Sequence, residues 1–221
     1  KIYGIVGLTS FFFVKNKAQF IIGLVVSAMV LFVIPMLYSS PQFGVQSYVD
    51  WFNRLQVKNQ SNLVLGNMQD ISLMGFVRRI LSDNTISNIK FLMFGLPLFA
   101  LPYLRISQYK FLSFRLLILA STLLFLVLFS SGSESPTYII AVSGVMLWFL
   151  IQKEKKPWVI GLLVFVIILT CFSNSDLFPR NIKENYVIKY SLKALPCIVV
   201  WLRIIYELMT KNFETDYKIS A

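Results

Sequence analysis

The sequence predicts an all-α protein: a polytopic transmembrane helix bundle of about seven helices, with amphipathic helices in a long outer loop. Three observations predict it. Hydrophobic residues make up 57% of the chain and Asp, Glu, Lys and Arg only 14%. Mean hydropathy is +0.69. The apolar residues fall in unbroken runs such as Leu116-Leu117-Ile118-Leu119-Ala120 and Val164-Phe165-Val166-Ile167-Ile168-Leu169. Transmembrane strands alternate apolar and polar positions instead. In lipid only helices and closed barrels satisfy their own backbone, so these runs read as helices.

The runs are 2–14, 18–38, 89–104, 112–129, 136–151, 157–172 and 190–210. A crossing helix needs roughly 17–25 residues. Runs 18–38, 112–129 and 190–210 meet that length. The other four borrow flanking residues, thin the bilayer locally or tilt little. The chain starts at Lys1 rather than Met, so it reads as one membrane domain, 1–221, from the C-terminal part of a longer chain.

Short loops set orientation through their Lys and Arg content. Lys15-Asn16-Lys17, Arg105 to Lys110, and Lys153-Glu154-Lys155-Lys156 are basic, whereas the turn at 131–135 carries Glu134 and no cation. The three basic loops are expected in the cytoplasm, with the tail after Lys211. Loop 39–88, the 131–135 turn and the segment from Ser173 to about Lys189 then face outward. Within 39–88, Val45, Tyr48, Phe52 and Leu55 recur at helical spacing beside Trp51, which predicts an interfacial helix. Asn59-Gln60-Ser61-Asn62 reads as a polar break; its Asn-x-Ser spelling also matches a weak glycosylation signal. A second helix is expected to start at Asp70 as N-cap. It would bear an apolar stripe of Ile71, Met74, Val77 and Leu81, carry Arg78 and Arg79 on its flank, and end at Ser82-Asp83-Asn84.

The net charge of +11 does not indicate nucleic acid, because the basic residues are dispersed over many loops rather than gathered in a stripe. The chain has no His, which removes the commonest metal ligand and general base. Cys171 and Cys197 fall in apolar runs and read as small buried hydrophobes rather than metal ligands. No metal and no cofactor are expected. Arg203 and Glu207 stand four apart in the last run, the spacing of an intrahelical ion pair.

Polar residues gather in two strings. In the first, Gln69, Asp70 and Ser72 cluster at a helix start and Arg78-Arg79 follow two turns later. Free N–H groups at a helix start and bidentate guanidinium donors suit an anionic, hydroxyl-rich ligand. The same residues also make an ordinary cap with arginines on lipid headgroups. The second string is Ser130-Ser131-Gly132-Ser133-Glu134-Ser135-Pro136-Thr137-Tyr138. Ser, Gly and Pro make turns. A carboxylate at an intramembrane rim is costly, and such residues tend to be functional. A sugar site lined by Glu134 and the hydroxyls is the alternative reading.

These two strings, Gln69-Asp70-Ile71-Ser72-Leu73-Met74-Gly75 with Arg78-Arg79 and Ser133-Glu134-Ser135-Pro136-Thr137-Tyr138, resemble those of the family 87 glycosyltransferases, in a Bacteroidetes-like spelling. The resemblance covers most of residues 1–151. It implies a GT-C-type fold in the bacterial inner membrane, crossing it several times. It implies an enzyme that moves a sugar, typically mannose, from a polyprenyl-phosphate donor to a lipid or glycan acceptor on the outer face, with inversion. The family's base is a carboxylate in a first outer loop, which would lie upstream of residue 1. Relatives carry a His near the Ser-Pro turn, and here Glu134 or Tyr138 would occupy that space. The resemblance thus implies a substrate site of Gln69, Asp70, Ser72, Arg78, Arg79, Ser133, Glu134 and Tyr138, with Glu134 as the candidate catalytic group. Arg78 and Arg79 would hold the phosphate. The partners would be donor, acceptor and membrane lipids, and no nucleic acid. A lipid-linked glycan flippase, a glycan polymerase or ligase, and a non-catalytic envelope assembly subunit are the competing classes. A flippase would show Gly/Pro-broken helices in related halves, and no repeat is visible.

Overall fold

A computed structural model describes residues 3–62, 69–83 and 85–217. The described residues form helices and turns, with one isolated bridge between Gln152 and Tyr217 and no sheet. A 3-10 helix, Tyr3–Phe13, is followed by α1 (Lys17–Val33), α2 (Pro41–Asn62), α3 (Leu73–Leu81), α4 (Asn88–Ala100), α5 (Leu112–Leu128), α6 (Tyr138–Ile151), α7 (Pro157–Val166), the short α8 (Arg180–Ile182) and α9 (Ala194–Thr210).

Helix α5 is the centre. It packs against α6, α9 and the N-terminal 3-10 helix, and Phe114, Leu117, Ile118, Leu124 and Leu128 are completely buried. The α5–α6 contact is close because Gly144 faces Ala120. A Cβ on Gly144 would stand 2.8 Å from the Ala120 carbonyl oxygen. Small residues allow such approach between apolar helices, where dispersion replaces the hydrophobic drive. Trp148 of α6 and Trp201 of α9 fill the remaining space.

Two helices, Lys17–Leu37 and Pro157–Asn174, are long and apolar enough to cross a bilayer by length and composition. Asn88–Leu104, Leu112–Leu128 and Ser135–Ile151 are apolar but shorter. The all-helical class is therefore as expected, whereas the lengths do not establish seven crossings. The first run forms a 3-10 helix of 11 residues, and α9 interrupts its apolar run with Arg203 and Glu207. No residue of α1 is buried; Ile22, Met29 and Leu31 are all more than 60% exposed. An all-round apolar helix with no buried residue requires an apolar environment of lipid or further helices.

The loops collect at two ends of α5. At one end, Arg105 donates to the Leu208 and Lys211 carbonyls, Gln108 accepts from the Phe213 amide, and Lys153 reaches the Thr215 carbonyl. This basic end also holds Glu207, 1% exposed. Its Oε2 accepts from Trp148 Nε1, Gln152 Nε2 and Tyr217 Oη at 2.8–3.0 Å, and its Oε1 from Arg203 Nε at 2.8 Å. The Arg203–Glu207 pair expected from spacing is thus present and extended by three distant donors. At the other end, α2, α3, the 131–135 turn and the segment 173–193 meet.

Several local expectations need correction. Helix α2 runs unbroken through 59–62, so the polar stretch is its end and not a break. Val45, Tyr48, Trp51 and Phe52 are more than 40% exposed, and Tyr48 stacks on Phe32 of α1 with ring centres 5.1 Å apart, so this face is only partly covered by protein. The side chain of Asn59, and Asn84 at the expected end of α3, lie outside the described residues. Helix α3 is capped by Ser72 rather than Asp70, because Ser72 Oγ accepts from the Gly75 amide at 3.1 Å and Asp70 Oδ1 accepts from the Ser72 amide. The buried face of α3 is Met74, Gly75, Arg78 and Arg79, whereas Leu81 is exposed. The arginines turn inward because acceptors await them there. Both cysteines are free thiols, and Cys171 is exposed rather than buried.

Candidate functional site at the turn end

The frame of the site is the contact between the two polar strings. The Ile71 amide donates to the Ser133 carbonyl at 2.9 Å, and Tyr138 Oη donates to the Ile71 carbonyl at 2.6 Å. The 131–135 turn therefore sits directly against the start of α3, with Ser133 Oγ folded back onto the Val127 carbonyl. A sequence separation of more than 60 residues is closed by these two bonds.

Asp70 and Arg78 lie beneath this contact. Asp70 Oδ2 accepts from Arg78 Nη2 at 2.7 Å, and both side chains are 2% exposed. Burial pushes the Asp70 carboxyl above its ordinary value, while hydrogen bonds from Ser72 and the Arg78 charge draw it back. Arg78 Nη1 also donates to Asn88 Oδ1 and the Ile86 carbonyl. Arg79 points the other way. Its Nη1 meets the Ile188 carbonyl and Ser191 Oγ, and its Nη2 the Asp70 carbonyl. Gly75 is required by closeness: a Cβ there would lie 2.4 Å from the Asp70 carbonyl oxygen.

Of the residues expected to bind substrate, Asp70, Ser72, Arg78, Arg79, Ser133 and Tyr138 are buried and bonded to one another or to nearby groups. Gln69 is exposed. Glu134, partly exposed, pairs with Lys58 of α2 at 2.8 Å, and Asn62 Nδ2 donates to the Ser131 carbonyl at 2.7 Å. The end of α2 is thus fastened to the turn.

Two cavities adjoin the turn. One, of about 220 Å³, lies between Arg79, Ser135, Asn174, Ser191 and Lys193, over an apolar floor that includes Ile71 and Val187. Ser135 Oγ accepts from both Lys193 and Asn174. Ser191 holds a left-handed backbone, φ 51°, which lets its hydroxyl accept from Arg79 and donate to the Asp70 carbonyl. Glu134 does not line this cavity; its carboxylate turns to Lys58. The other cavity is an apolar groove of about 760 Å³ walled by Leu8, Phe12, Phe99, Tyr103, Phe125 and Phe129, which runs to Ser130 and Ser131.

Lys58, Asn174, Ser191 and Lys193 were not singled out by sequence reasoning. Lys193 carried a signal, because it is a charge inside the predicted run 190–210. Ser191 carried none, since nothing in its neighbours marks a left-handed turn. Among the described residues no group of His, Cys, Asp and Glu is arranged to hold a metal ion.

No curated protein and no solved structure matches the chain. The family model for Glycosyltransferase family 87 matches residues 1–131, the stretch holding the groove walls, Asp70 and both arginines, and on that match the chain belongs to glycosyltransferase family 87.

Proposed function

We propose that the protein transfers a sugar, mannose in the first instance, from a polyprenyl-phosphate donor to a lipid or glycan acceptor at the outer face of a bacterial inner membrane. Family membership supports glycosyl transfer and, with the two long apolar helices, membrane association. The observation that carries the finer reading is the meeting of the apolar groove with the polar turn at Ser130 and Ser131. A lipid-linked sugar needs both surfaces side by side: an apolar wall for its chain and donors for its head.

In this reading the acceptor hydroxyl attacks the anomeric carbon, the bond from that carbon to the phosphate oxygen breaks, and the phosphate leaves with the electron pair. Fixed cations at the leaving oxygen lower the barrier because charge grows there. Glu134 follows Ser131, at the groove's polar mouth, by three residues and is the candidate acceptor of the hydroxyl proton. Gln69 and Arg79 would contact substrate, while Asp70, Ser72, Arg78, Ser133 and Tyr138 would hold the two strings in register. The seven helical segments cross the membrane with the basic end in the cytoplasm.

The test is transfer of labelled mannose from mannosyl polyprenyl phosphate by membranes containing the full-length protein. Lipid- or glycan-linked label that depends on the protein is expected. No protein-dependent transfer from any polyprenyl-phosphate hexose would overturn the assignment.

A further inference from the structure

Lys193 is a buried cation, 6% exposed. Its ammonium donates to Ser135 Oγ and lies 5.9 Å from the centre of the Tyr138 ring. Among the described residues no carboxylate stands within ion-pair distance of it. A buried ammonium without an anion is costly, and proteins ordinarily pair such charges. Among the described residues the polar lining of the cavity is Arg79, Ser135, Asn174, Ser191 and Lys193, with no acidic residue. The two carboxylates of the frame are engaged elsewhere, Asp70 by Arg78 and Glu134 by Lys58.

The lining also has spare donors. Ser135 Oγ already accepts two hydrogen bonds, from Lys193 and Asn174, so its own proton is left to donate. Lys193 uses one of three N–H bonds in its contact with Ser135. Lys183, whose Nζ reaches the Asn174 carbonyl at 3.3 Å, adds positive charge at the rim. A concave site of cations and donors with no acid suits a tetrahedral oxyanion with several acceptor oxygens.

We propose that this cavity is a phosphate-binding site whose principal cation is Lys193, and that its occupant is the phosphate joining sugar to polyprenyl carrier. The identity of the occupant rests on the transferase reading; the anion site does not. Four of the five polar lining residues lie beyond the stretch 1–131 matched by the family. The site is completed by later segments of the chain, the turn at Ser135 and the stretch 174–193.

The experiment uses the full-length protein in nanodiscs of zwitterionic lipid, with wild type, Lys193→Met, Lys193→Arg and Ser135→Ala compared by thermal unfolding and equilibrium binding. The probes are polyprenyl phosphate, phosphatidylglycerol and inorganic pyrophosphate. Polyprenyl phosphate is expected to stabilise the wild type. Its affinity should fall roughly 10–100-fold in Lys193→Met, the loss of one charge-assisted contact, less in Ser135→Ala, and recover in Lys193→Arg. Without ligand, Lys193→Met should melt no lower than wild type, because it removes an uncompensated charge. Responses to all three probes that are unchanged in Lys193→Met and Ser135→Ala would overturn the site. A response to phosphatidylglycerol or pyrophosphate but not to polyprenyl phosphate would overturn the assigned occupant. Lysine-dependent binding of polyprenyl phosphate by a protein that transfers no sugar would uphold the site and remove the transferase reading.

Discussion

Asp70 and Arg78 form a buried ion pair at 2.7 Å, and this pair decides which way the arginines of α3 face. An arginine pair two turns into an interfacial helix would by default reach for headgroups. Here Asp70, the Asn88 amide oxygen and the carbonyls of Ile86 and Ile188 supply acceptors on the inner side. The helix consequently turns its charged face to the protein and leaves Ile80 and Leu81 exposed.

Removing one partner of this pair should therefore destabilise more than removing both. Asp70→Asn leaves Arg78 charged and buried, at a cost on the order of 3–5 kcal/mol. The double variant Asp70→Asn with Arg78→Met should recover a substantial part of that loss. Unfolding of the detergent-purified protein, together with proteolysis within 39–88, measures both. A single variant as stable as wild type would show that the pair does not hold the α3 end in place.

The same pair shows what could be read from the chain and what could not. The helical runs were legible because an apolar run in lipid has one solution, and the Arg203–Glu207 pair because four residues make one helical turn. The partners that complete Glu207, namely Trp148, Gln152 and Tyr217, were not, since tertiary packing brings them there. The sequence points to Asp70 as N-cap because Asp caps well, but Ser does too, and with the Asp70 carboxylate held by Arg78 the cap falls to Ser72. The two polar strings were legible as strings. That most of their side chains are spent on each other, leaving Arg79 and Ser135 to line the cavity with Asn174, Ser191 and Lys193, depends on segment 173–193 folding over them.

Close helix approach gives a second prediction. Gly144→Ala places a methyl group 2.8 Å from the Ala120 carbonyl oxygen, so α5 and α6 must separate. The cost should be about 1–3 kcal/mol, read as a lower melting temperature. Gly161, whose Cβ would meet nothing within 4 Å, should accept the same substitution with little change. Equal effects at the two positions would deny the tight contact.

Orientation can be checked at residues that reagents can reach. Lys153 and Asp176 are exposed and belong to opposite loop ends. In a Cys171→Ser background, cysteine at Asp176 should react with an impermeant thiol reagent added from outside, and cysteine at Lys153 should react only after permeabilisation. The reverse pattern would invert the proposed topology.

Glu134→Gln is the variant that separates chemistry from architecture. The Glu134 carboxylate is 33% exposed and its partner Lys58 47% exposed, so their ion pair contributes little to folding, about 0–1 kcal/mol. The turn itself is held by other bonds: Thr137 Oγ1 to the Glu134 carbonyl at 2.6 Å, and the Ile71 amide to the Ser133 carbonyl. Glutamine keeps the shape and backbone of this arrangement and removes only the charge. If the carboxylate accepts the acceptor's proton, turnover should fall by roughly 10²–10⁴-fold while the melting temperature stays within a few degrees of wild type. Lys58→Met provides the contrast, because it removes the same ion pair but leaves the carboxylate. That variant should retain most of its activity. Wild-type turnover in Glu134→Gln would exclude Glu134 as the base and move the search to carboxylates elsewhere. Equal losses in Glu134→Gln and Lys58→Met would instead mark the ion pair as a fastening for α2, with no proton transfer at the turn.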